Sequence, residues 1–371
     1  DIRGLRVKYL SADPSNTATG EVWYNSTTGT LRTNLLSEAW ASGAPTIAPV
    51  YAGGAAGTST AGLAFAGTPA TTATYEYNGG GWSTVPAVTG TPRSYVSSSG
   101  AGSQTAALVV GGESPPPSPT GKTESYDGSS WTAKTDMTTA RDSGLGFGTQ
   151  TAFINSGGVL GYPWGVPAST ASEEFNGASW TATPAVNNPR AQGGGLGVTT
   201  AGLIFGGGTA SPATSPAALV ATTESYNGSS WTAENVMNTG RLYANSGSGT
   251  LTAAVTGGGI AYPGGSPVVT GATEKYDGTS WTTSPASLAT VRYVGAGGFG
   301  SGTSAVVFGG RSGGSIYDLT EEFNSLGSVI TAGAWASGTV YPTAVQDTTG
   351  AGPATAAIYY GGYSTPDAHT A

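Results

Sequence analysis

The chain has 371 residues, 62 of them Gly and 22 Pro, with no Cys, one His and only 9% charged residues. So few charges exclude a long helical or coiled-coil protein, and the missing Cys removes disulfide scaffolds, zinc fingers, iron–sulfur sites and thiol catalysis. A net charge of −8 argues against nucleic-acid binding, which wants a basic stripe.

The chain opens at Asp1 without an initiator Met, so it reads as processed or incompletely represented. No stretch approaches the ~18 apolar residues of a membrane helix, so membrane insertion is not expected. Residues 1–19 precede any repeat. Their first ten carry Arg3, Arg6 and Lys8, alternating with Leu5, Val7 and Tyr9. This segment reads as an edge strand or docking arm, with a loosely held terminus as the alternative. Next come EVWYN (21–25), a strand signal, and a stretch ending at Trp40.

From there a period governs the chain. Trp40, Trp82, Trp131, Trp180, Trp231, Trp281 and Trp335 recur at steps of 42 to 54 residues. One Trp per ~50 residues is propeller arithmetic. Each unit offers four short strands. The first is Gly-rich and follows an Arg, as in RDSGLGFGT (141–149). The second is a short apolar run ending in a glycine pair, as in TAALVVGG (105–112), AGLIFGG (201–207), TAAVTGG (252–258) and SAVVFGG (304–310); Ala66 replaces the first Gly in AGLAFAG (61–67). Such a run without alternation fits a strand covered on both faces. The third is TESYDG (123–128) or a variant, and the fourth surrounds the Trp. Asp-Gly or Asn-Gly between the aromatic and the Trp is a strong tight-turn signal, and the Trp supplies the bulk to fill the wedge between sheets.

The glycine pair, the Tyr or Phe before Asp/Asn-Gly, the Trp and the following Arg93, Arg141, Arg190, Arg241 or Arg292 together resemble the kelch family. The resemblance implies an all-β, seven-bladed propeller over 20–371, four antiparallel strands per blade. After Trp335 only two strands fit, at about 339–347 and 355–362. The last blade is therefore expected to be closed by the N-terminal strands at 21–25 and 31–40, which would remove a sheet edge. The repeat wording, TESYDGSSWTA with Ala/Gly/Thr/Ser filler, is similar to kelch-like virion proteins of marine tailed phages, and GEVWYNSTTGTLR (20–32) resembles pieces of phage fibre proteins.

In this topology the loops between second and third strands and between blades emerge on one face, the tight hairpins on the other. The long loops (113–122, 159–171, 208–222, 259–272) make the first face the place for binding. Tyr162, Trp164, Tyr262, Tyr317 and Tyr363 are the aromatics available there to stack on sugar rings; packing on their own loops or on a neighbouring subunit is the competing reading. The five Arg recur in register with Glu124, Glu173, Glu224, Glu274 and Glu321. Catalytic residues break a repeat, whereas these obey it, so they read as structural. The copper oxidases with kelch-like propellers need Cys, Tyr and two His; with no Cys and only His369, that activity is excluded here. SYDGSSW (125–131) is one residue short of a sialidase Asp-box and reads as an ordinary hairpin.

The expectation is thus a non-enzymatic virion protein of a tailed phage, without metal, cofactor or catalytic residues. It would sit in several copies on the tail fibre or particle surface, bound to other virion proteins through its N-terminal arm and touching host surface polysaccharide. A free or cell-surface carbohydrate-binding propeller is the alternative.

Overall fold

The structure is a computed structural model that describes residues 7–14, 22–87, 89–97, 102–115, 118–161, 166–211, 218–244, 247–293, 297–333, 349–351, 358–360, 363–364 and 368–369. The chain divides into two compact units, Leu36–Gly327 and a second made of Asp1–Leu35 with Ser328–Ala371.

The first unit is a propeller of six blades, each a four-stranded antiparallel sheet. Blade 1 runs Gly54–Thr58, Ala61–Phe65, Thr74–Tyr77, Trp82–Val85 from the axis outward, and blades 2 to 5 repeat this order, each ending on the strand of Trp131, Trp180, Trp231 or Trp281. Blade 6 takes Gly297–Gly300, Ser304–Phe308 and Thr320–Gly333 from the end of the ring, and its outermost strand from Thr30–Ser42. Among the described residues there are six blades and no seventh. Trp40 closes the blade of Gly297–Gly327, not one built from the last thirty-five residues. Thr349–Ala351 and Ile358–Tyr360 pair with each other in the second unit, and Trp335 lies outside the described residues. N-terminal closure therefore holds in part and one blade earlier than the period suggests: the 31–40 segment supplies the outer strand, whereas Val22–Asn25, expected as the strand inside it, pairs instead with Lys8–Leu10 and with Thr30–Thr33 in the second unit. A sheet lacking its outer strand presents unpaired backbone groups, and Trp40 removes that edge.

Sequence dictates the blades locally. In the second strand of blade 2, Ala107, Leu108, Val109 and Val110 are all 0% exposed, because neighbouring blades cover both faces. Each Trp leans on the preceding blade: Trp131 stands edge-on to Phe65 at 5.0 Å, a favourable geometry for the ring quadrupoles. Its indole N–H donates to Thr74 Oγ1 of blade 1 at 2.9 Å. The same bond recurs from Trp82 to Thr320, Trp180 to Thr123, Trp281 to Thr223 and Trp40 to Thr273. Trp231 instead donates to Pro184 O at 2.9 Å; the matching third-strand residue of blade 3 is Ser172, where the other blades carry Thr. Along the innermost strands Gly57, Gly102, Gly148, Gly197, Gly249 and Gly300 all have φ between 102° and 132°. A Cβ on Gly148 would fall 2.2 Å from the Ala152 carbonyl oxygen, so the hairpin at the axis admits only Gly.

The recurring Arg and Glu meet across the blade junctions. Arg93, Arg141, Arg190, Arg241 and Arg292, each 2% exposed or less, pair with Glu124, Glu173, Glu224, Glu274 and Glu321 of the following blade. Arg141 Nη1 also donates to the carbonyls of Gly157 and Ala171, at 3.0 and 2.8 Å. Glu173 in turn accepts from the linker amide of Thr138 at 2.9 Å. The pair is thus tied further to linker and blade backbone, which helps the charges persist out of water, although Nε of Arg93, Arg241 and Arg292 is buried with no hydrogen-bond partner among the described residues. The junction from blade 6 to blade 1 is the exception. Val50 holds the Arg position, its carbonyl accepting from Gly310 just as Arg190 accepts from Gly158, and Tyr75 holds the Glu position. These two pack in an apolar cluster with Phe308.

In the second unit, Lys8–Leu10 is an edge strand running parallel to Val22–Asn25. Asp13 accepts from Trp23 Nε1 and Asn25 Nδ2, both at 2.9 Å, with Trp23 fully buried.

Two outcomes follow. Glu224→Ala leaves Arg190 charged and buried, and should cost about 3–5 kcal/mol in urea denaturation. Arg190→Val with Glu224→Tyr copies the natural Val50–Tyr75 junction and should recover most of that loss. Deleting residues 1–43 should strip blade 6 of its outer strand and give an aggregating protein with a lowered Tm by light scattering and thermal melting. The fragment 36–327 should remain monomeric and melt cooperatively.

Candidate functional site

At the loop face five described linkers turn sharply two residues after the clasp position, which is Arg in four of them and Val50 in the fifth. Ala52, Tyr95, Ser143, Gln192 and Tyr243 hold these positions at φ between 52° and 62°. Their backbones link hand to hand around the axis: Tyr95 N–H donates to Ala52 O, Ser143 to Tyr95, Gln192 to Ser143 and Tyr243 to Gln192, at 2.5 to 2.9 Å. These turns line a cavity of about 30 Å³, the room of roughly one water. At the opposite, hairpin face the axis widens to about 540 Å³, lined by the glycine ring with Ser103, Thr149 and Gln150; no charged residue lines it among the described residues. Left-handed backbone at Tyr is costly, and non-Gly residues held there concentrate at functional sites.

Side chains from this ring and from the positions just beside it form a connected aromatic track across the axis. Tyr51 and Tyr95 stand edge to face with centroids 6.3 Å apart, and Tyr243 and Tyr293 lie 5.4 Å apart. Arg311 joins the two pairs, its guanidinium carbon 5.1 Å from the Tyr51 ring centre and 5.7 Å from that of Tyr293. This is cation–π range. Arg311 comes from the residue after the Gly309–Gly310 pair, and its backbone is paired with Tyr293. Tyr51 is buried; Tyr95, Tyr243, Tyr293 and Arg311 are half-buried. Burial and the neighbouring phenols push the Tyr95 and Tyr243 hydroxyls well above the ordinary range, so both stay neutral donors. Tyr262 adds to the electrostatic surroundings of Tyr243 and extends the track into a groove of about 510 Å³ between blades 4 and 5, with Asn238, Thr239, Pro263 and Thr270 on its walls.

The other end of the track is acidic. Glu113 bears on Tyr95. Asp142, one residue past the clasp Arg141, is pushed up to about 6 by burial and by the charge of Glu113, against a hydrogen bond from Ser143. Burial also raises Glu113. Neither carboxylate has an ion-pair partner among the described residues.

Of the five aromatics expected at the loop face, three lie among the described residues. Tyr162 and Trp164 lie outside the described residues. Tyr363 belongs to the second unit, in a short hairpin opposite His369. Tyr317 sits in the blade 6 loop, its backbone bonded to Val50 and Gly310. Tyr262 alone is tied to the axial cluster. The residues that do converge, Tyr51, Tyr95, Tyr243, Tyr293 and Arg311, were legible through one signal. They occupy the positions next to the recurring Arg and glycine pair where the repeat breaks: Ser-Tyr, Asp-Ser, Ala-Gln and Leu-Tyr follow the first four Arg in turn.

No family model and no curated protein matches this chain. Among solved structures it is similar to that of YjhT, with a TM-score of 0.62 and 13% identity over 77% of this chain and 99% of that one. At that identity the likeness shows the fold: this chain is a β-propeller.

The perturbed carboxyl gives a measurable consequence. A carboxyl whose folded pKa is raised opposes folding when ionised, so its burden is present above about pH 6 and is relieved as pH falls towards the unfolded value near 4. Asp142→Asn should therefore stabilise the protein at pH 7 by about 1–3 kcal/mol. The advantage should vanish by about pH 4 in melts run across that range.

Proposed function

We propose that this chain is a non-enzymatic kelch-type propeller of a tailed-phage virion, displayed on the tail fibre or particle surface, whose loop face contacts host surface glycan. The connected track Tyr243–Tyr293–Arg311–Tyr51–Tyr95, with Tyr262 on the wall of the groove between blades 4 and 5, is the observation that carries the binding part of this reading. Sugar rings have apolar C–H faces and polar rims. A row of half-buried phenols offers both stacking surface and hydroxyl donors, and its length suits a chain of sugars better than one. Stacking contacts are individually weak, so attachment relies on many copies per particle. With a net charge of −8 the protein gains nothing from a generally anionic cell surface, which leaves specificity to the track.

The recurring Arg and Glu, the obvious source of acid–base groups, are committed to each other at the blade junctions, which supports a binding role. The virion assignment rests on the wording of the repeats. In the second unit Tyr9, 74% exposed on the edge strand and stacked at 5.0 Å on Tyr24, is the surface through which the N-terminal segment would dock on another virion protein. A free or cell-surface carbohydrate-binding propeller would use the same track without the particle.

Mass spectrometry of purified particles separates the two: the protein should be found in intact virions, and its absence would overturn the virion assignment. Particles carrying Tyr243→Ala with Tyr293→Ala should assemble in normal numbers and adsorb to host cells several-fold more slowly. Unchanged adsorption would leave the propeller a surface-decorating protein.

A further inference from the structure

Every other described arginine sits on a carboxylate. Five are locked in the junction clasps, and Arg32 lies 3.6 Å from Asp13. Arg311 has no carboxylate within ion-pair distance among the described residues. Its Nη1 donates to Tyr51 Oη at 3.4 Å and its Nη2 to Gly313 O at 3.0 Å, and its guanidinium carbon lies 5.1 Å from the Tyr51 ring centre and 5.7 Å from that of Tyr293. A guanidinium carries five N–H donors in one plane. Two phenol rings flank it within cation–π range, and only one N–H of each Nη is claimed, while Nε is buried without a hydrogen-bond partner among the described residues; the remaining donors suit a planar, two-oxygen acceptor. The surroundings of Arg311 differ in sign from the rest of the track: Tyr262 and the groove walls Asn238, Thr239 and Thr270 are neutral, while Glu113 and Asp142 beyond Tyr95 are acidic.

We propose that the track selects a carboxylate-bearing saccharide, with a uronate-type carboxylate seated on the edge of Arg311 between Tyr51 and Tyr293. The following sugar would stack on Tyr243 and run towards the Tyr262 groove. This deepens the glycan-binding reading above and rests on it. The polarity of the site fixes direction: Glu113 and Asp142 repel an anionic chain continuing past Tyr95, so the chain runs from Arg311 towards blade 5. The overall charge of −8 means that any polyanion binding is local and not a property of the whole surface.

Calorimetric titration of the full chain with polygalacturonate, with its fully methyl-esterified and therefore neutral form, and with dextran tests the assignment. Polygalacturonate should bind, esterification should weaken binding about tenfold or more, and added salt should weaken the acid form alone. Arg311→Gln should reduce affinity for the acid form to that of the ester, with Tm unchanged, and Lys122→Gln, an exposed cation on another blade, should have no effect. Equal binding of acid, ester and dextran would overturn the carboxylate assignment and leave the glycan reading standing. Binding to none of the three, by a protein that melts normally, would overturn the assignment; if particles with Tyr243→Ala and Tyr293→Ala also adsorb normally, the glycan reading falls with it. If Arg311→Gln does not fold, the comparison of acid and ester on the unmodified chain decides the question.

Discussion

The buried Arg–Glu clasp is the interaction on which the rest of this propeller depends. A blade has a curved, apolar, two-faced sheet that packs on its neighbours by shape alone, and shape alone would let it slide. The clasp adds direction. Arg141 holds the Gly157 and Ala171 carbonyls of blade 3 while Glu173 of that blade holds the linker amide of Thr138. Neither group can leave without stranding a charge away from water, so the linker enters every junction along one path. That path brings residue 143, 192 or 243 into the left-handed turn and so joins the inner backbone ring.

The functional face is a consequence of that geometry. Once the linker is fixed, the residues immediately after the Arg project over the axis, where they no longer bear on the clasp and are free to differ. Five junctions keep Arg and Glu, yet the neighbouring positions carry Tyr, Ser, Gln, Asp or Leu. Constancy at the clasp and variety beside it are two sides of one division of labour: a repeated scaffold orients a surface that is not repeated. The junction between blades 6 and 1 shows the alternative solution, with Val50 and Tyr75 replacing the ion pair. Buried ion pairs and well-packed apolar groups can serve the same junction. One junction earlier, the closing strand adds its own bonds to blade 5: Glu38 to Lys275 at 2.5 Å and Trp40 to Thr273 at 2.8 Å.

The axis itself is unequal at its two mouths for the same reason. On the hairpin face six glycines keep the inner strands thin and leave a wide neutral well. On the loop face five linker turns, joined by backbone hydrogen bonds, line a cavity of about the size of a water.

Sequence by itself determined the strands, the turns and the scaffold chemistry, because each is a local event repeated many times. The Asp-Gly hairpins appear as drawn, with Asp127 Oδ1 accepting the amides of Ser129 and Ser130 at 2.8 and 2.7 Å. The apolar second strands are buried on both faces, and the in-register Arg and Glu are structural partners. What only the tertiary structure decided is how many blades close the circle and which strand ends it. Period alone cannot say whether the last copy joins the ring, because closure depends on the angle each wedge occupies; six wedges filled with these small residues already meet, and Trp40 seals them. The aromatic track belongs to the same class. Tyr51 and Arg311 stand 260 residues apart in sequence, and nothing local to either indicates the other. The closed ring alone places them side by side, because both ends of the propeller meet at that junction.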